Sequence, residues 1–158
     1  MNNELLKLLK KNARYSDEEL GAMLGIPASE IAGQIKKLED DGIIRGYTTV
    51  VDGDKLDDDA VCAIIELKVK TKSGLGFNGI VNMIMQFDEV ESVALMAGDY
   101  DLAVTVRGAK AVAFLVSQRL STIDDVLSTA THFVLKKYKE NGVILNTDEN
   151  DERGFVSP

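Results

Sequence analysis

After residue 60 the apolar residues of this chain change their period, and that switch limits what it can fold into. Up to residue 42 they recur at helical spacing. Beyond residue 60 they alternate in short runs, interrupted by two further helical stretches. Leu5, Leu6, Leu8 and Leu9 mark a first helix within residues 2–12. Ser16 opens a second. A serine followed three residues later by Glu19 is a capping box, in which each side chain bonds the other's backbone N–H. Leu20, Met23 and Leu24 are expected to supply its buried face, and Gly25 to end it. A third helix follows Pro27, with Ile31, Ile35 and Leu38 on one stripe, and Gly42 stops it. Ile43, Ile44 and the segment GYTTVV then read as a strand.

The acidic, turn-rich stretch VDGDKLDDDA, residues 51–60, reads as a linker. In the strand expected at about 61–70, Ile65, Leu67 and Val69 alternate with Glu66, Lys68 and Lys70. Residues 76–87 place Phe77, Ile80, Val81, Ile84 and Phe87 on one helical face. Strands are expected at about 90–97, 101–107 and 129–137, with a helix at about 109–120 that buries Val112, Leu115 and Val116. The order β-α-β-β-α-β is the ferredoxin-like split unit, so the fold class is α+β. The expected organisation is a helical domain over 1–50, a linker over 51–60, a ferredoxin-like domain over 61–141 and a polar tail over 142–158. On the sheet face without helices we expect Ala63, Ala103, Thr105, Thr129 and Thr131, small or β-branched side chains suited to packing on a second sheet.

Composition narrows the function classes. No run of 18 apolar residues suggests a membrane span, and MNNELLKLLKKN lacks the apolar stretch of a signal peptide. The single cysteine, Cys62, rules out an intramolecular disulfide framework, fits a reducing cytoplasm and is expected in the core. Residues 1–50 hold seven bases and eight acids, so nearly all of the net charge of −8 belongs to the rest of the chain. The first third is therefore near neutrality and the rest acidic, and the net charge counts against nonspecific nucleic-acid affinity of the whole chain. Helix, tight turn at Gly25, helix is the helix-turn-helix order, whose second helix would lie in a major groove, and three-helix domains with a structural or partner-binding role share the pattern. No catalytic triad, metal cluster or cofactor motif is evident, and the lone His132 reads as packed or solvated.

Several segments in this order, KKNAR-S-EEL, the LGI turn, I-KKLE-DGII-GY and the later GDYDL, closely resemble the leucine-responsive/asparagine regulator (Lrp/AsnC, feast-famine) family of transcription factors. The resemblance covers roughly residues 2–140. It implies a winged-helix-like DNA-binding domain joined to a ferredoxin-like regulation domain, in proteins that form dimers, often assembled into octamers, and sense amino acids. We expect weak DNA binding carried by the 28–37 helix, with Ser29, Gly33 and Gln34 facing base edges and Lys36 and Lys37 nearer the phosphates. The helix departs from the family's pattern at Pro27, where a serine cap is usual, and at Gln34, where a basic residue is usual.

The hairpin Ala97-Gly98-Asp99-Tyr100-Asp101-Leu102 carries more polar groups than a turn needs. In the family this loop helps form the effector site, and the chemistry fits an amino acid. Asp99 or Asp101 can accept from an ammonium. The backbone beside Gly98 can donate to a carboxylate, and Tyr100 can wall the pocket. Asp101 is the expected ammonium partner and Asp99 is expected to be solvated. Thr129 and Thr131, which match family positions with hydroxyl side chains, are expected to complete the site. The implied function is an amino-acid-responsive DNA-binding regulator acting as a homo-oligomer, with no enzymatic role. The alternatives are a ligand-sensing oligomer with little DNA affinity and, further off, an enzyme like the siroheme decarboxylases, which resemble the family in both modules.

Overall fold

The computed structural model describes residues 3–56, 60–70 and 77–145, apart from the side chains of Asn3, Asp54, Ala111 and Leu115. Part of the expected linker, most of the tail, the start of the 76–87 helix and the packing of Leu115 lie outside the described residues. The chain divides into two compact units. One holds Met1–Val51 and Lys139–Ile144, the other Asp52–Tyr138.

The first unit contains α1 (Asn3–Lys11), α2 (Asp17–Leu24) and α3 (Ala28–Asp40). The capping box forms as expected: the Glu19 N–H donates to Ser16 Oγ at 3.2 Å, and the Ser16 N–H donates to Glu19 Oε2 at 2.8 Å. Leaving α2, Gly25 takes φ +72°, a left-handed conformation that glycine adopts without steric cost, and Gly42 does the same after α3 at +68°. Leu5, Leu9, Leu20, Ile31 and Leu38 make the core. Met23 is not part of it and stays 52% exposed. The buried face of α2 runs through Leu20 and Gly21 instead. The reason is that the turn into α3 folds back over Gly21, where an added Cβ would lie 2.6 Å from the Ile26 carbonyl oxygen.

The strand expected over 43–51 does not form; residues 44–52 carry no regular secondary structure. A strand exists only through a ladder, and among the described residues none pairs with this stretch. Local bonds hold its start instead. The Ile43 and Ile44 N–H groups donate to the Leu38 carbonyl, and the Tyr47 hydroxyl donates to Glu39 Oε1 at 2.9 Å. Burial, together with the hydrogen bond and charge of Glu39, holds the Tyr47 phenol above its ordinary value of 10.0. A raised native value means that the contact stabilises fully below the ordinary phenol range and is lost as pH rises through the native value. Ultraviolet titration of the four tyrosines should therefore show a late component that Tyr47→Phe removes. The melting-temperature difference between wild type and Tyr47→Phe should also shrink in strong alkali.

The second unit holds β1 (Ala60–Val69), α4 (Asn78–Ile84), β2 (Val90–Leu95), β3 (Leu102–Ala109), α5 (Lys110–Ser121) and β4 (Val126–Val134). The short strands β5 (Lys139–Glu140) and β6 (Val143–Ile144) form a separate hairpin in the first unit. The four long strands make one antiparallel sheet in the order β2-β3-β1-β4. Ala63, Ile65, Leu67, Leu102, Val104 and Val106 line one face and pack with Ile80 and Ile84 of α4 and Ala113, Val116 and Leu120 of α5.

Register corrects the expected faces. Across β1, Val106 and Phe133 flank Ala63, Val104 and Thr131 flank Ile65, and Leu102 and Thr129 flank Leu67. Cross-strand partners share a face, so Ala63, Thr129 and Thr131 lie on the helix-covered side. Ala103 and Thr105 stay on the open side with Ile64, Glu66, Ala130 and His132. Strand β4 also begins three residues earlier than expected. The Lys70 N–H bonds the Asp125 carbonyl at 2.7 Å, and Val126 already pairs with Val69.

Candidate functional site

Successive residues of an α-helix are turned by about 100°. On α3 that turn groups Ser29, Gly33, Lys36 and Lys37 on the side opposite Ile31 and Leu38, and all four are exposed. Gln34 falls at the border of the two faces, half-buried, and its amide donates to Glu30 Oε1 at 3.1 Å. Lys36 pairs with Asp40, Nζ to Oδ2, at 3.1 Å. Such an exposed pair is worth little and yields readily to a stronger anion. The outward face of α3 is therefore one that a groove could receive, although its acids engage two of its polar groups.

The hairpin closes where the Met96 N–H donates to the Asp101 carbonyl at 2.8 Å. Asp101 then crosses to β1. Its N–H donates to the Leu67 carbonyl at 2.9 Å, and its Oδ2 accepts from the Val69 N–H at 2.8 Å. The β1–β3 ladder ends at Leu67 and Leu102, so the carboxylate continues it by one bond. Lone pairs remain on the carboxylate for a further donor. Tyr100 and Asp101 are half-buried, while Gly98 and Asp99 are exposed. Thr129 sits opposite Leu67, at the same end of the sheet as Asp101. The Thr131 hydroxyl donates to Ser117 Oγ of α5 at 3.0 Å. The loop residues and Thr129 thus share an end of the sheet, Thr131 lies further along opposite Ile65, and both threonines occupy the helix-covered face.

Two contacts were not anticipated from sequence: the Asp101–Val69 bond and the close approach at Gly21. The first has no local signature, because its partners are 32 residues apart. The second has one, since a glycine inside a helix costs about 1 kcal/mol against alanine and calls for a packing reason. A cleft of about 590 Å³ also opens between Met83, Phe87, Arg119, Ile123 and Asp124, and none of the expected site residues lines it.

Comparison with known proteins bears on both units. The Lrp/AsnC ligand binding domain profile matches residues 62–144, and a winged helix-turn-helix DNA-binding profile matches residues 3–45. An uncharacterised HTH-type transcriptional regulator of Bacillus subtilis, YugG, is 45% identical over 158 residues, covering 98% of this chain and 95% of that protein. The structure of Escherichia coli AsnC is similar at 25% identity and TM-score 0.65, covering 86% of this chain and 91% of the other. The regulator NMB0573 of Neisseria meningitidis, solved in complex with L-Met, shares the fold. Its TM-score is 0.68 at 24% identity, covering 90% of this chain and 93% of the other.

Proposed function

Because the chain belongs to the Lrp/AsnC family of DNA-binding transcription regulators, we propose that it binds DNA through α3 and answers to an amino acid at the Asp101 end of its sheet, acting in the cytoplasm as a homo-oligomer. The observation that carries the reading is Asp101. It is a half-buried carboxylate oriented by the Val69 N–H, beside a glycine loop that lets a ligand's carboxylate approach backbone N–H groups. Gly98 and Tyr100 shape the wall, Asp99 stays in solvent, and Thr129 stands at the same end of the sheet. A regulator of the same fold solved with L-Met supports the ligand class. On α3, Ser29, Gly33 and Gln34 meet base edges, and Lys36 and Lys37 meet phosphates. An electrophoretic shift on the gene's own upstream DNA, with each amino acid in turn, tests both arms. Retardation altered by one of them is expected. No retardation at any protein concentration would remove the DNA arm, leaving a ligand-sensing oligomer. That second reading is favoured by one observation: residues 28–41 hold four acids against two lysines.

The open sheet face supports a homodimer built sheet on sheet. Ile64, 37% exposed, lies between Thr105 and His132. His132 Nε2 stands 3.5 Å from Glu66 Oε1 on that face, and the ion pair of Arg107 with Glu91 at 3.0 Å puts both signs of charge there. A charged surface that meets its own copy across a two-fold axis must be self-complementary, which both signs together allow. Light scattering should report a dimer or larger, and Ile64→Glu should shift it to monomer. A wild-type monomer at tens of micromolar would dismiss the dimer.

A further inference from the structure

Charge in the first unit is not where the reading helix is. Residues 28–41, α3 and its cap, hold four acids and two lysines, and one of those lysines is paired with Asp40. Residues 3–14 hold Lys7, Lys10, Lys11 and Arg14 against the single acid Glu4. The three lysines fall at i, i+3 and i+4 of α1, a spacing that puts them on one helix face. Arg14 follows just beyond the helix, its N–H held by Asn12 Oδ1 at 3.0 Å. All four basic residues are exposed, and none has an ion pair among the described residues.

We propose that this stripe, Lys7, Lys10, Lys11 and Arg14, is the main phosphate-contacting surface of the DNA-binding unit, anchoring the sugar-phosphate backbone of the duplex whose groove receives α3. The inference rests on the DNA-binding reading above and names a surface that reading leaves out. Two facts favour a polyanion over a lipid surface. The apolar face of α1 is already spent inside the unit, with Leu5 at 0% and Leu9 at 8% exposure and Leu6 and Leu8 half-buried against the same core, so no free apolar face is left to enter a bilayer. Among the described residues the four cations make no ion pair and only Glu4 shares their stretch, whereas α3 supplies its own acids. Phosphate contacts set affinity and register while base contacts set sequence. A reading helix with little net positive charge therefore needs its anchor on another element.

The test uses the full-length chain with all four residues changed to glutamine, Lys7→Gln, Lys10→Gln, Lys11→Gln and Arg14→Gln, since glutamine keeps helix propensity. A second variant changes Lys36→Gln and Lys37→Gln. Fluorescence anisotropy follows binding to the gene's own upstream duplex and to a scrambled duplex of equal length across a range of KCl. The α1 variant should lose tenfold or more in affinity on both duplexes alike. Its salt slope should be shallower by about 0.9 for each phosphate that is no longer neutralised, and this change should exceed that of the α3 variant. An unchanged slope overturns the proposal, as does a loss confined to the upstream duplex or a larger loss from the α3 variant. If the fourfold variant melts early, Lys10→Gln with Arg14→Gln, at and beyond the helix end, serves under the same criteria. Wild type that binds neither duplex overturns the DNA-binding reading and this surface together. Wild type that binds, with an α1 variant that binds equally well, overturns this surface alone.

Discussion

Gly21→Val is expected to uncouple the reading helix from its support and abolish DNA binding while the four-stranded sheet stays folded. A Cβ at residue 21 would stand 2.6 Å from the Ile26 carbonyl oxygen and 3.4 Å from the Ala28 nitrogen. Both are backbone atoms at the turn into α3, so no rotamer change relieves the clash. Overpacking of this kind costs about 1–3 kcal/mol even where side chains can adjust. The valine methyls add to that, and among the described residues the core of the first unit holds five buried apolar side chains. Gly21→Ala is the informative control. Alanine gains about 1 kcal/mol of helix propensity over glycine, so a variant less stable than wild type despite that gain reports the clash itself. Circular dichroism melts with DNA anisotropy would read both effects. Gly21→Ala as stable as wild type, with binding intact, would show that the turn can yield.

The second large effect concerns Asp101. Its carboxylate does two jobs, bonding the Val69 N–H and, in the proposed site, receiving a ligand's ammonium. Asp101→Ala removes both, leaving a strand N–H without its acceptor at a cost of about 1–3 kcal/mol. Asp101→Asn keeps an oxygen for Val69 and removes only the charge. Isothermal calorimetry with the twenty amino acids should find one that wild type binds. Asp101→Asn should bind it about ten- to a hundredfold more weakly, the worth of a charge-assisted hydrogen bond of about 1.5–3 kcal/mol, at an unchanged melting temperature. Equal binding by wild type and Asp101→Asn would refute the assignment. If only Asp101→Ala lost binding, together with its stability, the role of Asp101 would be to hold the strand end.

What the sequence made legible was set by short-range chemistry. The Ser16–Glu19 box, the left-handed glycines after α2 and α3, and the alternation along β1 act within a few residues, and each predicts the structure seen. The order β-α-β-β-α-β followed from the same local signals. Long-range pairing was harder to read. The stretch STATHFV alternates hydroxyl and small residues with almost equal weight on both sides, so its pattern does not say which side meets the helices; pairing with Ile65 and Leu67 decides it. Ala63 was misplaced because a small side chain looks suited to a sheet–sheet contact, yet strict period two binds it to Ile65. Residues 43–51 have strand-like composition, but composition supplies no ladder.

Strand β3 ends at Ala109 and α5 begins at Lys110, with no residue between them. At this joint Gly108 lies so close to Val112 that a Cβ there would stand 3.2 Å from its Cγ1. One residue inserted here must be absorbed by the strand or by the helix. If the strand takes it, a one-place slip carries Leu102, Val104 and Val106 to the opposite face. If the helix takes it, α5 turns by about 100° and carries Val116 and Leu120 away from the sheet. Neither element can give way without emptying the core of the unit. Insertions and deletions among natural relatives should therefore spare this joint.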